Sequence, residues 1–366
     1  MNYQRCSYCV MDNKSDNTIV FDKDGRCNYC KEAEAEIGKV YFPDENGRKK
    51  LAELLETIKA EGKNKEYDCL MGISGGLDSS YLAYLGYKWG LRILAVHIDD
   101  GFDTEISKSN IDRLLKATGI KMLTVKPDAE QFNGLTKAFM KASVPDIAIP
   151  QDNVLFAFIY DTARKHDINY FLSGGNFALE CILQKGNTHD AYDLVNIKDI
   201  NKKFGNTSLN KLKFLSLYKK EFYKRILGLN NLRPLNYIDY NKDRAFKELY
   251  DFCGFEYYGS KHLENYFTMF AQLYWFPKKF GVDKRTSHLS SLIVSGQLTR
   301  QEAIKALEKP LYTAETMDKC INTLKDKLNI SDTEFDEIMA APAKQHNDYK
   351  VDKLAPFLLK VKEKLK

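Results

Sequence analysis

The feature that most constrains this chain is the heptapeptide Ser74-Gly75-Gly76-Leu77-Asp78-Ser79-Ser80. It follows an apolar run at residues 67–73 and leads into a helical pattern at 79–89. A short apolar run ended by glycines predicts a buried strand. The glycines let the backbone turn tightly and approach a ligand closely. A helix opening at Asp78-Ser79 points free N–H groups and the positive end of its dipole at whatever lies above the turn. Ser74, Ser79 and Ser80 add hydroxyl donors, so the turn suits an anion. Asp78 makes sense beside phosphate if Mg2+ lies between them. The Gly-Lys-Ser/Thr ending of a Walker A loop is missing, which excludes that class. An ordinary glycine-rich strand-to-helix turn is the plain alternative.

The flanking sequence keeps alternating. Helices are expected at residues 47–60, 103–118, 129–141 and 154–165, and strands at 91–98, 121–125 and 169–172. Such alternation predicts an α/β fold with a doubly wound, mostly parallel sheet. Ligands of these sheets bind at the carboxyl ends of the strands. Ser74, Asp99 and Ser173 each follow a predicted strand and should gather along one edge. His97, Asp99 and Asp100 stand at the end of the second strand, with a solvent-facing acidic turn as their plain reading, and Ser173, Gly174, Gly175 and Asn176 form a second turn after a later strand. Cys69 and Cys181 read as small core residues rather than nucleophiles. Beyond about residue 190 strand signal is scarce and helices dominate. Capping boxes are expected at Thr299 with Glu302 and at Ser331 with Glu334.

Near the N-terminus, Cys6-Ser7-Tyr8-Cys9 and Cys27-Asn28-Tyr29-Cys30 form two C-x2-C knuckles. The spacing is that of a structural zinc site closed by four thiolates. A turn at Asp24-Gly25 would join the knuckles. Reduced thiols and an iron–sulfur cluster are the alternatives. The organisation expected is a zinc-ribbon-like segment at 1–45, a nucleotide-binding domain at 46–190 and a mainly helical substrate or partner domain at 191–366.

No stretch of about 18 apolar residues is present, so no transmembrane helix is expected. The N-terminus lacks the apolar core of a secretory signal, which makes a cytoplasmic location the expectation. Net charge is a mild +5, but residues 198–225 hold nine Lys/Arg against Asp199 and Glu221. That tract, and the Lys-rich tail at 344–366, suit either solvated helix faces or attraction of an anionic partner.

The string at 74–80 resembles the SGGxDS signature of the PP-loop, or N-type ATP pyrophosphatase, superfamily, a HUP-like fold. The resemblance implies that ATP lies with its pyrophosphate on this turn, that nucleotide or magnesium is held at His97, Asp99 and Asp100, and that Ser173, Gly174, Gly175 and Asn176 are a second anion-contacting turn. A substrate oxygen then attacks the α-phosphate, forming an adenylate that a nitrogen or sulfur nucleophile displaces. Asp78 and Ser79 would be catalytic.

The C-terminal block narrows the resemblance. Lys278-Lys279-Phe280-Gly281-Val282-Asp283-Lys284-Arg285, Ser287-His288-Leu289-Ser290-Ser291-Leu292-Ile293 and the segment from Ser295 to Ala303 resemble the N-acetyl sugar amidotransferase family of the WbpG and PseA type. That likeness implies an ATP-dependent exchange of an acetamido oxygen for ammonia on a nucleotide-activated sugar, in bacterial surface-polysaccharide or flagellar-glycan synthesis. It also implies a separate glutaminase as ammonia source, with a HisF-like channel partner. Lys284, Arg285 and His288 become candidates for substrate phosphate or carboxylate. The main rival is a PP-loop enzyme that thiolates or amidates a tRNA base, with the 198–225 tract as its phosphate footprint. A non-catalytic zinc-ribbon scaffold is the third reading, and the intact Ser74–Ser80 string argues against it.

Overall fold

The computed structural model describes residues 2–259 and 263–354. Five short strands build one parallel sheet in the order β3-β2-β1-β4-β5. They are β1 (Cys69–Gly72), β2 (Ile93–Ile98), β3 (Lys121–Val125), β4 (Tyr170–Leu172) and β5 (Asn230–Leu232). The helices are α1 (Asn28–Glu36), α2 (Glu45–Gly62), α3 (Leu77–Lys88), α4 (Glu105–Thr118), α5 (Ala129–Lys141), α6 (Ile149–Lys165), α7 (Phe177–Glu180), α8 (Leu194–Phe204), α9 (Leu217–Ile226), α10 (Lys242–Cys253), α11 (Tyr266–Phe270), α12 (Arg285–Val294), α13 (Arg300–Glu308), α14 (Ala314–Leu328) and α15 (Asp332–Ala340).

The two-residue period of a strand explains how the sheet is covered on both faces. Cys69 and Met71 of β1 join Ile93 and Ala95 of β2 in a core shared with α3 and α4. Leu70, Leu94 and Val96 point the other way, onto Ala157, Ile159 and Tyr160 of α6. A third core, around Phe270, Trp275 and Leu324, holds α5, α8, α11, α14 and α15 together. This is the doubly wound sheet that the alternation predicts.

Most predicted elements appear within a few residues of their expected bounds. Two differ. Helix α6 starts at Ile149 rather than 154, because Pro150 in its first turn has no N–H to leave unpaired. Strand β5, with the sequence Asn-Asn-Leu, lies beyond residue 190, so the sheet draws its edge strand from the region expected to be helical.

The capping signals divide. Thr299 and Glu302 form the reciprocal box. Ser331 accepts from the Glu334 N–H, but the Glu334 carboxylate reaches Lys137 and Lys141 at 2.7 and 2.8 Å instead. Among the described residues, no helix is long and apolar enough to cross a membrane. Much of the basic tract is neutralised within the fold: Lys203 pairs with Asp199, Lys211 with Asp128, Lys213 with Asp161 and Arg225 with Glu221. Of the Lys-rich tail, residues 355–366 lie outside the described residues.

Candidate functional site

The order β3-β2-β1-β4-β5 reverses direction between β1 and β4, and there the carboxyl ends of the two strands open a crevice. A cavity of about 340 Å³ fills it. Its floor is Ser74 and Gly76–Ser79 after β1 and Ser173–Gly175 after β4; His97, Ile98 and Asp100 after β2 form one wall. Apolar side chains of Leu155, Phe156 and Phe171 line another side. Size and mixed lining suit a small-molecule site.

The turn after β1 is held by its own hydroxyls. Ser74 N–H donates to Ser79 Oγ at 3.3 Å, Gly76 N–H to Ser74 Oγ at 3.2 Å, and Ser79 Oγ to the Gly76 carbonyl at 3.2 Å. Gly75 has φ +76°, and a Cβ there would lie 2.5 Å from the Ser107 carbonyl oxygen, so only glycine fits. Helix α3 starts at Leu77, one residue before the predicted opening, with Gly76 as a cap that has no side chain. The Leu77 N–H is not free. It donates to the Tyr258 hydroxyl at 2.8 Å. The Asp78 carboxylate accepts from the hydroxyl of the fully buried Tyr240. Burial and the neighbouring Asp78 together push that phenol well above its ordinary value, so Tyr240 stays a donor.

His97, in that wall, is held at both ends of its ring. Its Nδ1 is 2.8 Å from the Ile73 carbonyl and its Nε2 is 3.0 Å from Asp103 Oδ2. Both ring nitrogens meet acceptors, which leaves neither for a nucleotide. Burial opposes a charge here, yet the Asp103 carboxylate outweighs it and raises the histidine above its usual value. Asp100 faces the cavity, takes hydrogen bonds from Gln151, Asn265 and the Phe102 N–H, and is pushed up to about 6 by burial. Asp152 is exposed toward the same cavity; loss of solvation beside the surrounding protein, then nearby Asp146, pushes its carboxyl up to about 7.

Several expected ligands sit elsewhere. Asp99 is not part of the cavity wall; it pairs with Lys126 at 2.9 Å, which holds its carboxyl below the usual range. Ser80 is fully buried on the inner side of α3 and cannot present its hydroxyl to a ligand. Asn176 is buried and caps α7, accepting from Leu179 N–H at 3.0 Å and donating to the Gly174 carbonyl at 3.2 Å. It shapes the second turn rather than reaching over it. Arg285 spends all five N–H groups within the fold: on Asp283, and on the carbonyls of Ala306, Leu307 and Lys309 at the end of α13. It is a clamp on that helix, with no donor left for substrate. Lys284 caps α12; its ammonium lies over the Phe276 ring at 4.5 Å, and burial holds it below the usual lysine range. Cys181 is raised to about 11 by burial, the mark of a thiol and not of a nucleophile.

The residues that sequence reasoning missed come from far along the chain. Tyr258, Glu264 and Asn265 close the cavity from beyond residue 190, and Tyr240 holds Asp78 from behind it. A Cβ on Gly76 would meet Glu264 Oε1 at 2.7 Å, so that carboxylate is packed onto the turn. None of these four lies in a motif with recognisable spacing.

The four knuckle cysteines converge. Cys6, Cys9, Cys27 and Cys30 are all buried, and their Sγ atoms lie within 4.8 Å of one another. Close pairs measure 3.6, 3.7 and 3.8 Å. Four sulfurs at about 2.3 Å from one zinc would be about 3.8 Å apart along a tetrahedral edge. The donor set therefore fits zinc. Gly25 turns the intervening segment at φ +75°, with Gly25 N–H donating to the Asp22 carbonyl at 3.0 Å. The knuckle is docked onto the C-terminal helices: Arg300 donates to the Cys6 and Cys9 carbonyls, and Ser290 Oγ accepts from Val10 N–H.

With this geometry in place, residues 264–366 match the family described as "LPS biosynthesis protein WbpG-like, C-terminal domain". That region is similar to the C-terminal domain of the WbpG-type family. The match begins at Glu264, which packs on the turn after β1, and runs through α12 and α13, which hold the cysteine knuckle. No curated protein matches the chain. Among solved structures, similarity is found to an NH3-dependent NAD synthetase from Campylobacter jejuni, at 15% identity and TM-score 0.31, over 50% of this chain and 80% of that one. An NMN synthetase from Francisella tularensis matches at 15% identity and TM-score 0.32, over 78% and 94%. The fold assignment rests on the strand order of the chain itself.

Proposed function

We propose that this protein is an ATP-dependent amidotransferase that adenylates the acetamido oxygen of a nucleotide-activated sugar and replaces it with ammonia. The observation that carries the reading is the Ser74–Ser79 turn at the switch point of the sheet, built around Gly75 and opening on a cavity. The turn and the start of α3 would bind the pyrophosphate of ATP, and Ser173–Gly175 would face the α-phosphate. Leu155, Phe156 and Phe171 would enclose the base.

The chemistry needs ATP because an amide oxygen is a poor leaving group. The acetamido oxygen attacks the α-phosphorus as the bond to pyrophosphate breaks. Ammonia then adds to the activated carbon, AMP departs with the former amide oxygen, and one proton lost from nitrogen leaves the acetamidino group as its amidinium cation. Donors preset around the turn stabilise charge as it builds on pyrophosphate. Mg2+, when bound, would screen charge between the phosphates and Asp78, whose carboxylate Tyr240 orients. Asp152, raised to about 7, lies on the cavity wall and is suited to take the proton from the incoming nitrogen. Ammonia would come from a separate glutaminase. The cysteine quartet would hold a structural zinc.

A direct test is incubation of the protein with ATP, Mg2+, ammonium and UDP- or CMP-linked diacetamido sugars. AMP should form together with a sugar lighter by the difference between oxygen and NH. AMP release only with tRNA would replace this reading with a base-modifying one. For the metal, one zinc per chain is expected by elemental analysis. Cys27→Ser should lose it and lower the melting temperature by several degrees, since a closed metal site contributes folding free energy directly.

A further inference from the structure

A second cavity of about 370 Å³ lies on the other side of Leu77, Asp78 and Tyr258, which line both spaces. Its walls are largely apolar, with Leu289 and Leu292 of α12 on one side and Leu311 on another. Among the described residues two lysines reach it, Lys242 at the start of α10 and exposed Lys309 after α13. Among the described residues neither has a carboxylate partner, and the Lys242 ammonium sits 4.8 Å over the ring of Tyr257, also in the wall. Arg285 borders the space too, but its donors are consumed, so the charge available comes from the lysines.

An apolar, aromatic slot with two uncommitted lysines fits a ligand with a planar apolar body and a multiply charged anion. We propose that this second cavity is the binding site for the nucleoside diphosphate end of the acceptor. The aromatic wall offers the base a stacking face, and Lys242 and Lys309 meet the diphosphate. Asp78 then stands between two phosphate-bearing ligands, its carboxylate held from behind by Tyr240. The assignment deepens the reading above and rests on its claim that the acceptor is a nucleotide-linked sugar.

Calorimetric titration of the full-length chain with UDP tests it, with a non-hydrolysable ATP analogue already bound. UDP should bind beside the analogue. Uridine alone and pyrophosphate alone should each bind at least about tenfold more weakly, because each retains half of the contacts. Lys242→Ala with Lys309→Ala should weaken UDP by about tenfold or more. Leu289→Trp, which fills the slot, should abolish UDP binding while analogue affinity stays within about twofold of the parent. Leu311→Trp fills it from the other side and guards against one variant failing to fold. Competition between UDP and the analogue would overturn the assignment, as would unchanged UDP affinity in both tryptophan variants. So would pyrophosphate binding as tightly as UDP and with the same variant sensitivity, which would mark an exit route for product. Sugar-dependent AMP release that both tryptophan variants retain would sink this site and leave the proposed reaction standing. UDP binding lost in both variants, with AMP formed from no acetamido sugar, would do the reverse.

Discussion

The chain uses the tripeptide Ser-Gly-Gly twice, after β1 and after β4, on either side of the switch point, and the two turns do different work. Both share one device: the serine Oγ accepts from the N–H two residues on, at 3.2 Å in each case. Then they diverge. After β1, Gly75 is left-handed, the helix is capped by a glycine, and α3 runs for 12 residues. After β4, neither Gly174 nor Gly175 has positive φ, Asn176 caps the helix with its own side chain, and α7 lasts four residues. A long helix with no side-chain cap leaves dipole and amides for a ligand. A short helix capped from within has already satisfied its own terminus. On the proposed reading the first turn grips the pyrophosphate, and the second packs against it from beside the α-phosphate: a Cβ on Gly174 would come 2.9 Å from the Ser79 backbone nitrogen.

A glycine series breaks this comparison most directly. Gly75→Ala combines a left-handed φ with a Cβ 2.5 Å from the Ser107 carbonyl, so the turn must rebuild, at about 2 kcal/mol or more. Nucleotide binding, by calorimetry, should be lost. Gly174→Ala meets backbone without the φ penalty and should weaken nucleotide by an intermediate amount. Gly175→Ala meets side chains rather than backbone, the Glu180 carboxylate at 3.2 Å and the Ser173 hydroxyl at 3.3 Å, and should bind nearly as the parent does. An equal loss from Gly75→Ala and Gly175→Ala would mean that the two turns are equivalent.

Next in size comes the carboxylate on the first turn. Asp78→Asn should lower AMP formation by about a hundredfold or more if the charge acts in the transition state. Tyr240→Phe only loosens that carboxylate, so a loss of about tenfold, in turnover and not in nucleotide affinity, is expected. Equal losses would mean that Tyr240 acts on substrate rather than through Asp78.

The contrast also separates what the sequence makes legible from what it hides. Strand β1, its turn and α3 are readable because an apolar run, glycines and a helical pattern occur in consecutive residues. So is the cysteine quartet, whose ligands pair at fixed spacing. Strand β5 is not readable, since Asn230-Asn231-Leu232 has no apolar alternation and forms only by pairing with β4 at the sheet edge. Tyr240 and Tyr258 are invisible for the same kind of reason: they reach Asp78 and Leu77 from 162 and 181 residues away. The second turn misleads because Ser-Gly-Gly-Asn reads as an anion loop. Only the structure shows Asn176 turned inward. Asn176→Ala should therefore cost about 1 kcal/mol of stability, the worth of a helix cap, with nucleotide affinity little changed. A tenfold loss of nucleotide affinity in that variant would restore Asn176 as a direct ligand.

The smallest effect expected is a pH dependence behind the first turn. His97 bridges the Ile73 carbonyl, one residue before Ser74, to Asp103, with Asp99 also within electrostatic reach. Both contacts ask for a proton on the ring, and the histidine titrates above its ordinary 6.5 in the folded chain. The folded state therefore binds that proton more tightly than the unfolded one. The stabilisation is complete below 6.5 and fades as pH rises through the folded value. His97→Gln should lower the melting temperature more at about pH 6 than at about pH 9, where the parent has already lost the contribution. Among the described residues no histidine is hydrogen-bonded to the second turn, so Asn176→Ala should show a deficit independent of pH over the same range. A His97→Gln deficit that is flat, or that grows toward pH 9, would mean that the ring is neutral and that Asp103 carries the proton instead.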